Sequence, residues 1–157
     1  MLADVFTPVG IYLRLRDRFR DTILLESTDN HAAENSWSFI GVNAIAGVEI
    51  ISGQSIETKL PGQVAQTVLI DKSPKVIDVL KGFMQHFEVQ VAKEKEARYA
   101  QGLFGYTTYD AIQFFETIPA GHFKNTEEDI PLMRYRLYQY VIAINHFKDE
   151  LVICENH

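Results

Sequence analysis

From Ile11 the apolar residues Ile11, Leu13 and Leu15 alternate with Tyr12, Arg14 and Arg16, and a period of two predicts a strand with one buried face. Asp21 and Thr22 then reverse the chain into a second predicted strand, Ile23-Leu24-Leu25-Glu26-Ser27. Short β segments follow at 37–42, 46–51, 55–60 and 64–70, divided by turn signals at Gly53-Gln54 and Pro61-Gly62. At Ser73-Pro74 the pattern changes to a helix start, with Ser as N-cap and Pro at the first helical position, where its missing N–H costs nothing. Val76, Val79, Leu80, Phe83 and Phe87 fall at helical spacing, interrupted only by Gly82, and form the stripe of a helix packed on a core. A second helix is predicted after Tyr106, carrying Ala111, Ile112, Phe114 and Phe115. Beyond the loop 119–131 the run 132–146 is long for a strand but rich in Tyr, Val and Ile. It predicts a long strand that turns at Phe147-Lys148-Asp149-Glu150 into a last one at 151–154. The pattern as a whole predicts an α+β fold, an antiparallel sheet system with at least two packed helices, in one domain over residues 1–157.

Composition fits that expectation. A chain of 157 residues, 46% of them hydrophobic, holds one sizeable core and buries roughly 68–70% of its unfolded surface. No window approaches the roughly 20 apolar residues of a membrane helix. The start MLADVFTPVG has neither the basic nor the apolar region of a signal peptide. A soluble, unexported chain without a membrane partner is expected. Its one cysteine, Cys154, has no partner for an internal disulfide, which suits a reducing cytoplasm. With 15 Lys+Arg against 21 Asp+Glu the net charge is -6, and nucleic acid is excluded as a partner because phosphate neutralisation needs a basic surface. Lys93-Glu94-Lys95-Glu96 mixes both signs and reads as a solvated face.

Catalytic constellations are missing. The chain has no Gly-rich phosphate loop, no G-x-S-x-G elbow and no H-E-x-x-H. His31, His86, His122, His146 and His157 stand singly, none with a second ligand three or four residues on, and read as surface or capped histidines. Glu127-Glu128-Asp129, in a proline-flanked loop, reads as solvated acids and not as a metal site. No catalytic residue and no metal ligand is assigned.

Three segments in register carry a more specific signal. Leu24-Leu25-Glu26-Ser27 is followed eleven residues on by Ser38-Phe39-Ile40-Gly41. Later comes Gly102-Leu103-Phe104-Gly105-Tyr106-Thr107-Thr108-Tyr109-Asp110, with Glu116 after it. They resemble the LLES, R-Y-S-F-I-G and G-x-x-G-Y-x-x-Y-D segments of the anthranilate synthase component I family, the chorismate-utilising large subunit. With the hairpin at Asp149-Glu150-Leu151 the resemblance runs from Phe6 to Ile153. It implies the N-terminal, regulatory portion of that fold, with the catalytic chorismate-binding domain absent from this chain. The serine of the family's LLES lines the feedback site for L-tryptophan, so the carry-over lands on Ser27, with Glu26 beside it. A zwitterionic amino acid needs an acceptor for its ammonium, donors for its carboxylate and an apolar slot for its indole. Glu26, the Ser27 hydroxyl and a flanking sheet face rich in Leu and Phe supply parts of each. Read without the resemblance, the residues favour an ordinary strand end at Glu26 and Ser27, Ser27 bonding to a local turn, and it is the resemblance that reverses this. One departure stands out: where the family has arginine, this chain has Ser36. Gly102 and Gly105 read as tight-turn residues, and Tyr106, Tyr109 and Asp110 as residues that pack and cap a helix.

The resemblance implies a longer parent that converts chorismate and ammonia, delivered by a glutamine amidotransferase subunit, into anthranilate and pyruvate. Its Mg2+ ligands would lie in the half this chain lacks, so no cofactor is expected here. Two other readings stay open. One is the equivalent region of the aminodeoxychorismate synthase large subunit, and the other a free-standing, non-enzymatic amino-acid sensor. The absence of any acid, base or metal constellation predicts an inactive chain. Given chorismate, Mg2+ and ammonium, the purified protein should produce no anthranilate fluorescence above background, and turnover that survives repurification overturns this.

Overall fold

The computed structural model describes residues 7–26, 36–51, 55–70, 76–94, 96–116 and 130–157. Its helices are α1 (Pro8–Arg16) and α2 (Val76–Met84), with 3-10 helices at Glu96–Ala100 and Tyr109–Phe114. The strands are β1 (Ile23–Glu26), β2 (Trp37–Ile51), β3 (Ser55–Lys59), β4 (Gln66–Leu69), β5 (Phe104–Thr107), β6 (Met133–Asn145) and β7 (Glu150–Glu155). All seven strands join one sheet in the order β4-β3-β2-β6-β5, with β1 also paired to β2 and β7 to β6. The β1–β2, β2–β3, β3–β4 and β6–β7 registers are antiparallel. The expected α+β class holds. The chain divides into two compact units, 1–45 with 90–104 and 137–157, and 46–89 with 105–136. The long strands β2 and β6 contribute to both.

In the first unit the alternation at 11–15 is misleading: the segment is helical, not a strand. The Thr7 hydroxyl accepts from the Gly10 N–H at 3.0 Å and Pro8 opens the first turn, the capping arrangement that satisfies otherwise orphaned donors. Ile11, Tyr12 and Leu15, spaced for a helix, pack against the cluster of Ile40, Val42, Ile142, Ile144 and Leu151, together with Leu24. Leu13, which the period of two would bury, is 44% exposed. Arg14 and Arg16 in the last turn suit the negative end of the helix dipole. A second cluster unites Tyr138, Val141, Cys154 and Ala100 with Ile23, Phe39, Phe104 and Val152.

The segments 37–42 and 46–51 are one continuous strand. The polar interruption is Asn43, at a left-handed φ of 60° that Asn adopts more readily than most residues, and its amide donates to Gln139 Oε1 at 2.6 Å. It distorts the strand locally without ending it.

The second unit holds the buried charges. Glu49 on β2, only 7% exposed, accepts on one oxygen from Arg134 Nε at 2.9 Å and Arg136 Nη2 at 2.5 Å. Arg136 lies so close over Gly47 that an added Cβ would meet its side chain at 2.4–3.0 Å. Beside this network Val48, Ile50 and Ile56 are nearly sealed from water, Ile50 directly opposite Ile56. Gly105 sits within β5 and not in a tight turn. A Cβ there would come within 1.8 Å of the Arg134 carbonyl oxygen, so the glycine permits β6 to approach. At Gly102 an added Cβ meets nothing.

α2 buries Val76 and Phe83 and stops at Met84, one turn short of the full predicted stripe. The last turn tightens as the Phe87 N–H reaches the Met84 carbonyl, while His86 Nδ1 donates to the Gly82 carbonyl at 2.8 Å, a capped histidine as expected. Phe87 still meets Phe83 edge-on at 5.2 Å. The predicted cap at Ser73-Pro74 lies outside the described residues. The second predicted helix is a six-residue 3-10 helix. The Thr108 hydroxyl before it donates to the Leu132 carbonyl at 3.1 Å instead of capping, and Tyr109 is 84% exposed, so it does not pack as expected. Truncating a buried Phe costs about 3–5 kcal/mol. Phe83→Ala should therefore lower the denaturation midpoint sharply, while Met84→Ala, at an exposed neighbour, should change stability by no more than about 0.5 kcal/mol.

Candidate functional site

The candidate residues lie in the first unit, where β1 meets β2. A turn at Asp21, with φ of 55°, and a bond from the Thr22 hydroxyl to the Phe19 carbonyl at 2.9 Å aim the chain into β1. There Ile23 pairs with Gly41, Leu24 with Ile40, Leu25 with Phe39 and Glu26 with Ser38. Glu26 ends the strand and is exposed. Ser27 lies outside the described residues.

Ser38, opposite Glu26, is fully buried. Its hydroxyl bonds to His146 Nε2 at 2.7 Å, which satisfies a group that would otherwise be costly to keep from water. His146 itself is exposed, and its backbone N–H donates to the Ser36 carbonyl at 3.0 Å, tying the end of β6 to the start of β2. Just before it, buried Asn145 accepts the Phe147 and Lys148 N–H groups on Oδ1, both at 2.9 Å, and so shapes the turn into β7. Residues directly opposite in an antiparallel pair project to the same face. Glu26, Ser38 and His146 therefore share one face at one end of the strands.

Alternation places Trp37 and Phe39 on the other face. There Trp37 lies 4.7 Å from Tyr99, and Phe39 lies 5.9 Å from both Tyr99 and Phe104, an aromatic cluster behind the polar trio and not a wall of it. Leu24, on the trio's side, is committed to the core under α1. The expected Leu- and Phe-rich slot is thus filled by the unit's own packing at these positions.

Sequence reasoning reached Glu26 and the Ser38 motif but passed over His146. Its partner is 108 residues away, and no local pattern connects them. A separate groove of about 580 Å³ is lined by Ala92, Ala97, Gln101, Val152, Cys154 and Glu155 among others. At Glu155 the Tyr140 hydroxyl is held above its usual pKa, first by its hydrogen bond to that carboxylate and then by the carboxylate's charge. Among the described residues no three His, Cys, Asp or Glu side chains gather to hold a metal ion, and no helix is long and apolar enough to cross a membrane.

No family model matches the chain. The curated relatives it matches are named anthranilate synthase component 1. The Mycobacterium tuberculosis protein is 25% identical over 163 residues, covering 99% of this chain and 29% of that protein. The Aquifex aeolicus protein is 28% identical over 153 residues, covering 96% and 28%. A crystal structure of anthranilate synthase component I from Streptococcus pneumoniae aligns over 99% of this chain and 31% of its own, at 20% identity and a TM-score of 0.47. The chain spans under a third of the length of these relatives.

The Ser38–His146 pair is asymmetric in cost. Removing the hydroxyl frees an imidazole that water already reaches, whereas removing the imidazole leaves a buried hydroxyl unsatisfied, at about 1–3 kcal/mol. Chemical denaturation should show His146→Ala as the more destabilising of the two changes, with Ser38→Ala the milder.

Proposed function

We propose that this chain is the L-tryptophan-sensing region of an anthranilate synthase component I, with Glu26 and Ser27 in the inhibitor site. What carries the reading is the match of 96–99% of the chain to proteins of that name, with the LLES-type segment ending in Glu26-Ser27. The exposed Glu26 carboxylate supports it chemically, since it suits the ammonium of an amino acid. In this reading the complete enzyme is cytoplasmic and makes anthranilate and pyruvate from chorismate and ammonia. Chorismate and Mg2+ bind in its other part, and a glutamine amidotransferase subunit supplies the ammonia. This chain takes no part in the bond-making steps and biases the enzyme towards an inhibited state.

Tryptophan binding to this chain alone is weak, because few contacts must offset the ligand's lost freedom. Calorimetric titration should give a dissociation constant in the millimolar range, about -4 kcal/mol. In the complete enzyme, Ser27→Ala should weaken tryptophan inhibition by about 2- to 150-fold, the span of one hydrogen bond, and leave uninhibited turnover unchanged. An inhibition curve that the substitution does not move removes Ser27 from the site.

A further inference from the structure

β7 is an edge strand: among the described residues it pairs with β6 alone. Hydrogen-bonded and non-bonded pairs alternate along an antiparallel ladder. The Asn156 N–H donates to the Gln139 carbonyl at 2.8 Å, so Cys154 and Val152, two and four residues back, turn their backbone groups to β6 as well. Leu151, Ile153 and Glu155 turn theirs the other way. Three N–H and three C=O groups thus line the outer edge of β7, with no strand of the described residues to receive them.

The groove of about 580 Å³ runs along that edge. Its lining takes in Val152 and Cys154, on the face packed around Tyr138, and also Leu151 and Ile153, which share the opposite face with Ile144 and Ile142. A hollow that reaches consecutive residues of both faces lies at the strand's edge and not over one face. Across from β7 stand Ala92, Ala97 and Ala100, whose short side chains leave the space open. Hydrogen bonds hold this wall in place. Arg98 Nε donates to the Ala92 carbonyl at 3.2 Å, and Asn156 Nδ2 to the Ala100 carbonyl at 3.1 Å, which ties the wall to the end of β7. Every charged side chain in the lining is a carboxylate: Glu94, Glu150 and Glu155. In the middle of the edge Ile153 is left 64% exposed.

We propose that this edge docks an extended segment of a partner protein, added as a further strand beside β7, with Lys or Arg towards its two ends and small or apolar residues between. The segment's backbone completes the open ladder, which supplies affinity, and its side chains supply selectivity. An antiparallel strand places one residue directly opposite Ile153 and covers it. Its end residues meet Glu155 and Glu150, where cations complement the acidic lining. A second copy of this chain would bring three more carboxylates to the same groove and is the poorer occupant. Docking at β7 is independent of the amino-acid site.

The test is an amide-resolved NMR titration of the whole chain with the peptide acetyl-Lys-Thr-Val-Ala-Thr-Lys-amide at millimolar concentration. Shifts should saturate and centre on 150–156, Ala92 and 97–101. N-methylation of the peptide's third and fifth residues, whose N–H groups face β7 in this pairing, should abolish them. Exchanging both lysines for glutamate should weaken binding about fivefold or more, the combined effect of two exposed ion pairs. Ile153→Pro removes an outward donor from an edge strand, a place where proline is tolerated. It should weaken binding about tenfold or more while leaving the rest of the spectrum and the sedimentation of the chain unchanged. Should that variant unfold, the methylated peptide decides. Absence of saturable shifts, or binding indifferent to methylation or to charge, overturns the docking of a basic strand. A wild-type dimer that Ile153→Pro splits makes the occupant a second copy and overturns the partner.

Discussion

The Glu49 carboxylate is the constraint around which the second unit is arranged. It is nearly buried, and a buried charge is tolerated only when paired and hydrogen-bonded. Arg134 and Arg136 provide that pairing from β6, two residues apart and hence on one face. Either arginine alone still leaves the carboxylate paired, and only loss of both would leave an uncompensated buried charge. The network reaches into the sequence around it. Gly47 must be small to lie under Arg136, and Gly105 must be small because the backbone of Arg134 passes against it. Gly47 and the three charged residues thus answer one electrostatic requirement, while Gly105 answers a separate steric one, the close approach of β6 to β5.

The polar trio of the first unit depends on similar economy. Nothing in Glu26, Ser38 or His146 is rare, and what makes the group distinctive is its unequal access to water. A sealed hydroxyl holds a ring that is itself exposed, and an exposed carboxylate lies on the far side of the same strand. Main-chain bonds fix the surroundings: His146 to Ser36, and the Asn145 side chain to the turn that follows. Glu26 and Ser38 are held by paired strands, and His146 opens the turn that follows β6.

Most of the sheet was legible because strand signals are local. β1, β3 and β6 lie within a residue or two of the expected positions, as Ile-, Val- and Tyr-rich runs bounded by turn residues. α1 was misread because Ile11, Leu13 and Leu15 satisfy a period of two, while Ile11, Tyr12 and Leu15 also satisfy the helical spacing. The deciding information was the Thr7-Pro8 cap, just ahead of the alternation. The second helix narrowed to 3-10 geometry, with Thr108 bonded to Leu132 instead of to the helix it precedes. Of the site, Glu26 was legible through its motif and Ser38 through its neighbours. His146 was not, because the contact that gives it meaning is invisible until the chain has folded.

That contact bears on how the molecule comes together. Ser38 meets His146 across 108 residues, Asn43 meets Gln139 across 96 and Glu49 meets Arg134 across 85. Each closes a long loop before it returns any stability, and closure of that kind slows folding. During synthesis at about 5–20 residues per second, β2 emerges several seconds before β6. Through that interval it presents the unpaired N–H and C=O groups of a 15-residue strand, one of the commonest starting points for association between chains. Until β6 arrives, the first half of this chain carries an open strand edge that the second half then covers.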